Sequence, residues 1–486
     1  MTVHAKPSAQ LLDVLSARLG EPHVITDPGQ MAGYLVESRN LYRGTALAVV
    51  RPGSTGEVAF TVGECAKAGV AIVPQGGNTG LVGGGVPFGG LVLSLARLDR
   101  IREIDPVNAT MTAEAGCILQ NVRAAAGETN LLFPLWLPSE GSCRIGGNLA
   151  TNAGGANVLR YGNTRDLVLG LEVVLADGRV WNGLKGLRKD NSGYDLKNLF
   201  VGSEGTLGII TAAVLKLLPK PHVKATAFVG CASARRALEL FARLRQSDDD
   251  TLTAFEYMPD FALYMVLKHG RGTVRPLVGE HASYALIELS SPDAKADLQG
   301  RLETVLGEAI EAGLVEDATI GASETQNQAL WRLRETLSEV QGLEGGSIKH
   351  DVSVPVSRVA DFIEEAEAAC ATAMPGVRPC AFGHVGDGNI HFNISQPLGM
   401  DKAAFLAQWP TFNRLVHDIV ASMNGSISAE HGIGLIKRDE LLHYKDPVAL
   451  DLMRTLKRAL DPANILNPGK VLALDEDAPP ALPSPE

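Results

Sequence analysis

The stretch Gly383-His384-Val385-Gly386-Asp387-Gly388-Asn389-Ile390-His391-Phe392-Asn393 constrains the fold more than any other in the chain. Two short apolar runs flank an Asp-Gly pair. That is a strong β-hairpin signal, because a type I′ turn needs positive φ at both central residues. With Asp387 and Gly388 at the turn, Gly386 faces Asn389, Val385 faces Ile390, and His384 faces His391. Directly opposed residues share a face, with Cβ atoms about 4.5–5.5 Å apart. Asn393 lies two residues past His391 and points the same way. Two imidazoles so placed can hold one metal ion, or they can be a hydrogen-bonded pair in an ordinary hairpin.

A further ligand candidate lies downstream in Ser426-Ile427-Ser428-Ala429-Glu430-His431-Gly432-Ile433-Gly434. Glu430 can complete a two-histidine, one-carboxylate set, which suits zinc or another divalent transition metal and leaves positions open for a substrate. His431 then remains as an acid/base. Adjacent residues on a strand point apart, so this reading requires irregular backbone, which the two glycines permit. The competing reading is a surface glutamate and a helix-capping histidine in a Gly-rich loop.

A chain of 486 residues can hold two or three domains with a large core. Its net charge of -11 argues against a nucleic-acid surface, whose footprint is basic. Cys65, Cys117, Cys143, Cys231, Cys370 and Cys380 are scattered, with no C-x-x-C, and read as reduced, mostly buried thiols in a cytosolic-type compartment. The first residues show no apolar secretory segment, and no apolar run reaches the ~18 residues a membrane span requires. The end, from Asp475 to Glu486, is acidic and Pro-rich and reads as a disordered tail.

Residues 8–20 read as a helix, 47–50 as a strand, 55–68 as a helix and 71–74 as a buried strand. That strand enters Gln75-Gly76-Gly77-Asn78-Thr79-Gly80-Leu81-Val82-Gly83-Gly84-Gly85. Such a loop presents many backbone N–H groups unshielded by side chains, an anion nest suited to a pyrophosphate. Its spacing is neither a Rossmann fingerprint nor a P-loop, and a flexible surface loop is the alternative. A second small-residue segment, 141–155, suggests one extended polar ligand gripped from two sides. A third spans 202–208. Residues 169–175 run into a hairpin turn at Ala176-Asp177-Gly178-Arg179. After Pro219, strands (226–230, 284–289, 352–354) alternate with helices (234–246, 294–312, 357–373). This pattern reads as an antiparallel sheet with helices on one face. Trp331, Arg334 and Ser338 share one face of a helix. Arg334 is a candidate carboxylate clamp, because a guanidinium binds both oxygens at once, and Lys349 is a second candidate cation; the competing reading of both is a solvated surface charge.

Taken together, Pro74 to Gly80, Gly146 to Gly155, Gly202 to Gly208, Gly383 to Asn393, Glu430-His431-Gly432 and Asn464 to Lys470 resemble the FAD-linked 2-hydroxyacid dehydrogenases of the vanillyl-alcohol-oxidase-type flavoprotein superfamily. The resemblance runs from about Leu47 to Leu472. It implies an α+β fold: a two-lobed FAD-binding domain of PCMH type, an antiparallel-sheet cap or substrate domain, and a C-terminal helical return to the FAD domain. The implied boundaries are an N-terminal helical segment at 1–40, the FAD-binding domain at 41–220, the substrate domain at 221–425, a completing segment at 426–472 and the tail at 473–486.

By the same resemblance the metal ligands are His384, His391 and Glu430, the catalytic base is His431, and the substrate contacts are Arg334, Ser338, Lys349 and Asn393. Ser338 stands where the family leads one to expect threonine. The residues implied at the flavin are Pro74, Gly76, Gly77, Asn78, Thr79, Gly80, Leu81, Ser142, Ile145, Gly146, Gly147, Asn148, Thr151, Asn152, Gly154, Gly155, Glu204, Gly205, Ile209 and Asn467. The implied cofactors are FAD, held non-covalently because the 74–85 loop has no histidine, and a divalent metal, Zn2+ by ligand type. The implied reaction is oxidation of D-2-hydroxyglutarate, or a similar D-2-hydroxy dicarboxylate, to the 2-keto acid by metal-assisted proton abstraction and hydride transfer to flavin N5. D-Lactate, glycolate or D-malate is the alternative substrate. The sequence has no iron–sulfur or haem motif, so the electron acceptor is external: an electron-transfer flavoprotein or a quinone-linked carrier. A homodimer and a cytoplasmic location, with membrane association only through that acceptor, complete the expectation.

Overall fold

The computed structural model describes residues 5–248 and 250–474. The expected tail therefore lies, from Asp475 on, outside the described residues. The chain forms two compact units. The first comprises residues 5–155, 163–219 and 430–474, and the second comprises 156–162 and 220–429.

In the first unit, helix Ala5–Leu19 buries Leu11, Leu15 and Leu19 in one core with Val58, Val62 and Cys65 of helix Thr55–Ala68. Ser54 caps the second helix by accepting from the Glu57 N–H, and Gly69 ends it at φ 62°. These helices accompany a four-stranded sheet of β1 (Val24–Ile25), β2 (Ala48–Val50), β3 (Ile72–Gln75) and β4 (Leu91–Ser94), in the order β1-β2-β4-β3. β2, β4 and β3 run parallel, so the helix between β2 and β3 is a crossover. The C-terminal segment extends the β3 edge: Ile72 N–H donates to Ile465 O, and Asn467 N–H donates back to Ile72 O.

A second, antiparallel sheet contains β5 (Ile101–Asp105), β6 (Thr110–Glu114), β8 (Val168–Val174), β9 (Val180–Gly183) and β10 (Ile209–Lys216), in the order β5-β6-β10-β8-β9. The expected turn at 176–179 joins β8 to β9, with Gly178 at φ 84°. A small pair, β7 (Leu131–Leu132) and β11 (Leu218–Pro219), completes the strands of this unit.

The second unit is built on a seven-stranded antiparallel sheet: β12 (Val223–Cys231), β13 (Leu252–Pro259), β14 (Ser283–Ser291), β15 (Asp317–Ile320), β16 (Ser347–Ser353), β17 (Arg378–His384) and β18 (Asn389–Ser395). The order is β15-β12-β14-β13-β17-β18-β16. Ile390, Phe392 and Ile394 alternate to one face, in a core with Leu240, Leu302, Phe362 and Phe412 from four helices. Each such buried side chain contributes roughly 1.5–3 kcal/mol.

Helices are not confined to that face. Asp260–His269, Glu324–Glu335 and Leu337–Val340 pack Leu263, Leu333 and Leu337 with Met258, Leu286 and Phe382 of the opposite face. The expectation of a one-sided layer is corrected: parts of both sheet faces are apolar, so both need cover. β13 is also a strand the sequence reading did not identify.

The 383–393 hairpin forms, but in a different register. His384 pairs with Asn389, Gly383 with Ile390 and Phe382 with His391. The connection is a four-residue loop, a 3-10 turn at Val385–Asp387 closed by Gly388 at φ 84°. Asp387 Oδ1 accepts from the Asn389 N–H, a local turn that competes with the two-residue type I′ geometry. His384 and His391 are therefore diagonal neighbours, not directly opposed. A shift of two residues preserves side-chain parity, so both still lie on one face with Asn393.

Candidate functional site

In the first unit, β3 delivers the chain into the 76–85 loop. Gln75, buried at the strand end, clips that loop shut by donating Nε2 to Tyr34 O (2.7 Å) and Gly85 O (2.6 Å). Asn78 stands at φ 53° with its amide on Val36 O. A Cβ on Gly77 would lie 2.2 Å from the Ser142 carbonyl, so the first and second small-residue segments meet backbone to backbone there. A Cβ on Gly147, by contrast, would meet nothing within 4 Å.

Between these loops lies a concave cleft that opens to solvent, the shape in which small-molecule and cofactor sites occur. Its lining includes Pro74, Gly76, Gly77, Asn78, Thr79, Gly80, Gly146, Gly147, Asn148, Thr151, Glu204, Gly205 and Ile209. It also includes Glu37, Gln75, Leu95, Arg144 and His431, of which the sequence reading had not placed the first four at the ligand.

Leu81, Ser142, Ile145, Asn152, Gly154, Gly155 and Asn467 stand outside that lining. Several of them support it. Asn152 caps helix Ile145–Thr151 at φ 50° and accepts from the Arg165 N–H. Asn467 donates its amide to Gly84 O and Glu204 O. The mostly bare-backbone cradle fits a large polar cofactor with a pyrophosphate, which needs N–H donors and close approach rather than side-chain bulk.

Glu204 does two things at the cleft. It sits at φ 52°, and its buried carboxylate accepts from Ile433 N–H (2.7 Å) and Gly434 N–H (2.9 Å). Burial raises its pKa above the ordinary carboxylate range, against the pull of those two donors. The 430–434 loop is thereby held in an irregular path, with Gly432 at φ 85° and Gly434 at φ 51°. Glu430 Oε2 accepts from Gly155 N–H at 2.8 Å, and His431 Nε2 lies 3.9 Å from Glu430 Oε1. The required departure from strand geometry at Glu430-His431 is present.

In the second unit, one sheet face carries a polar cluster. The rings of His384 and His391 lie 5.7 Å apart, centroid to centroid, at 75°. His384 faces Glu256 across the β13–β17 pair, and its Nδ1 bonds the Glu256 carboxylate. The other carboxylate oxygen accepts from Arg334 Nε at 2.6 Å. Burial opposes the charged forms, but the neighbouring charges prevail: Glu256 is held well below the usual range and the His384 pKa is raised. Arg334 is buried, with its guanidinium 5.0 Å over the Phe382 ring. It is not a solvated surface charge.

His391 faces Asp351 across the β16–β18 pair, with Nδ1 and Oδ1 3.8 Å apart, and Asn389 donates to the same oxygen at 3.0 Å. Lys349 stands opposite Asn393. The Asn393 amide donates to Gln341 Oε1 at 2.7 Å, inside the unit. Trp331 donates its indole N–H to Glu288. The helix carrying Trp331 and Arg334 ends at Glu335, and Ser338 lies exposed on the following short helix Leu337–Val340.

The donor chemistry fits a divalent metal. His384 has its Nδ1 committed to a carboxylate, which orients the ring and leaves Nε2 as the nitrogen open to a metal, the usual arrangement behind a metal histidine. The sequence reading missed Glu256, Asp351 and Gln341. A signal existed for Glu256: it is a lone carboxylate in Phe255-Glu256-Tyr257-Met258, and a carboxylate buried in such a strand requires a partner.

Two family profiles match. The profile described as "FAD binding domain" covers residues 46–183, and the one described as "FAD linked oxidases, C-terminal domain" covers 220–471. The chain is 41% identical over 450 residues to the mitochondrial D-2-hydroxyglutarate dehydrogenase of Bos taurus, covering 92% of this chain and 81% of the relative. It is 39% identical over 462 residues to the D-2-hydroxyglutarate dehydrogenase of Xanthomonas citri pv. viticola, covering 94% and 96%. Among solved structures, p-cresol methylhydroxylase superposes with a TM-score of 0.77 at 20% identity, covering 98% of this chain and 99% of that one. At that identity the likeness concerns the fold alone.

Proposed function

This chain belongs to the FAD-linked D-2-hydroxyacid dehydrogenases, the family that includes the D-2-hydroxyglutarate dehydrogenases, and on that premise we propose that it oxidises D-2-hydroxyglutarate or a close D-2-hydroxy dicarboxylate to the 2-keto acid. The observation that carries this reading is Arg334. It is buried on the face that bears His384, His391 and Asn393, and it is anchored through Nε alone. Its two terminal nitrogens have no hydrogen-bond partner among the described residues. A cation held rigid from behind with its outer donors uncommitted is built to pair with a carboxylate.

FAD would lie on the 76–85, 146–151 and 204–209 backbone, and the metal would be held by His384, His391 and Glu430. Bound there, the flavin supplies a two-electron acceptor and a metal, Zn2+ by donor type, supplies Lewis acidity toward the substrate hydroxyl. His431 takes the hydroxyl proton, work suited to an imidazole, whose ordinary pKa of ~6.5 lies close to neutrality. Arg334 and Lys349 pair with the distal carboxylate, and Asn393 and Ser338 orient the remainder of the substrate.

The electron acceptor is external, an electron-transfer flavoprotein or a quinone-linked carrier. All six cysteines are free and buried, which fits a reducing compartment, cytoplasm or mitochondrial matrix. The bovine relative is named as mitochondrial, and among the described residues no helix is long and apolar enough to cross a membrane.

A site that pairs two carboxylates discriminates against a substrate lacking one, because the terminal N–H donors of Arg334 are then left without an acceptor. Arg334→Ala is therefore expected to raise KM for D-2-hydroxyglutarate at least tenfold while changing KM for D-lactate much less, measured by steady-state dye reduction. An equal rise for both substrates would remove Arg334 from the distal pocket.

A further inference from the structure

On the reading above that His384 ligates a metal, we infer that Glu256 is a positioning residue that sets metal affinity and carboxylate recognition together, through one buried carboxylate bonded to His384 and Arg334 at once. Glu256 is 1% exposed, between Phe255 and Tyr257, which face the apolar core on the other side of the sheet. Its two oxygens are divided between two side chains: Oε1 to His384 Nδ1 and Oε2 to Arg334 Nε. A carboxylate only accepts, so the His384 proton toward it sits on Nδ1 and the ring presents a bare Nε2 when it ligates. Arg334, held by Nε, keeps its terminal donors aimed elsewhere. One side chain thus fixes a ring at the proposed metal and a cation at the proposed distal pocket.

Glutamine is the informative replacement. Both neighbours of Glu256 are N–H donors, whereas an amide has one accepting end and one donating end. Glutamine can satisfy Arg334 or His384, not both. If its NH2 faces His384, it selects the Nε2–H tautomer, which blocks ligation through that atom. If it faces Arg334, two donors oppose and the guanidinium is displaced. Loss of such a carboxylate behind a metal histidine typically weakens metal binding about 10–100-fold.

The test is zinc binding to the metal-free, FAD-loaded protein by competition with a chromophoric chelator, for wild type, His384→Ala and Glu256→Gln. The expected result is one tight site in wild type, its loss in His384→Ala, and about 10–100-fold weaker binding in Glu256→Gln. The KM of Glu256→Gln should also rise more for D-2-hydroxyglutarate than for D-lactate, a split that a general loss of stability does not produce. If His384→Ala abolishes the site but Glu256→Gln binds as tightly as wild type, the role of Glu256 is overturned while the metal reading stands. If wild type and His384→Ala bind alike, the metal reading fails and takes this inference with it. A measurement on wild type needs no variant at Glu256. In 15N-histidine spectra of the zinc-loaded protein, the His384 resonance (assigned by its loss in His384→Ala) should show a protonated Nδ1. A protonated Nε2 there would overturn the proposal.

Discussion

Replacing His431 with alanine is expected to lower kcat for the 2-hydroxy acid by about 10²–10⁴-fold, the usual worth of a positioned general base, with the fold and flavin content unchanged. The expectation rests on how the residue is mounted. His431 lines the cleft but belongs to no core cluster, and its side chain is 22% exposed. Its position is set by neighbours: Glu204 accepts from Ile433 and Gly434 N–H, and Glu430 accepts from Gly155 N–H. Removing the imidazole leaves all of these bonds in place. Turnover by dye reduction, flavin absorbance per protein and thermal unfolding separate the outcomes. The acid limb of the kcat/KM profile should also disappear in the variant, since it reports the essential base in the free enzyme. Near-normal turnover would exclude His431 as the base.

The largest expected effect on stability is at Lys457. Its ammonium is buried and donates to Asp461 Oδ2 (2.6 Å), Leu466 O (2.8 Å) and Thr206 O (2.9 Å). Asp461 is 1% exposed and also accepts from Ile465 and Leu466 N–H. These residues hold the segment that extends β3 at Ile72. Lys457→Met leaves a buried carboxylate without its cation, which costs about 3–5 kcal/mol, read as a lower urea midpoint for the first unit, where Trp136 and Trp181 serve as reporters. Removing both charges, Lys457→Met with Asp461→Asn, should cost less than the single change. Thr206 and β3 flank the cleft, so the single variant should also release FAD more readily. A loss below about 1 kcal/mol would mean that the ion pair does not hold the C-terminal return.

How much of this was legible in the sequence depends on the range of the interaction. The helices at 5–19 and 55–68 and the buried strand at 72–75, read as 8–20, 55–68 and 71–74, follow from apolar spacing, a local signal. The hairpin was legible as a hairpin, and the shared face of His384 and His391 survived a register difference because that difference was even. Turn length was not legible: Asp387-Gly388 suits both the two-residue turn and the longer 3-10 loop that forms. Glu256 was hidden for another reason. Its partners lie 78 and 128 residues away in sequence, so the apolar run around it signals that a partner is needed but not that the partners are a helix arginine and a hairpin histidine. Asn467 shows the converse: its place in a motif suggested the cofactor, whereas its side chain ties Gly84 to Glu204.

The most direct test of the account is steady-state dye reduction by the purified protein. The substrates are D-2-hydroxyglutarate, D-malate, D-lactate, glycolate and the L-enantiomers, each before and after chelation and zinc restoration. The account predicts the highest kcat/KM for D-2-hydroxyglutarate, inactivity toward its L-enantiomer, and loss on chelation that zinc reverses. A preference for D-lactate or glycolate would contradict the distal cation pocket, and full activity after complete metal removal would contradict the His384–His391–Glu430 site.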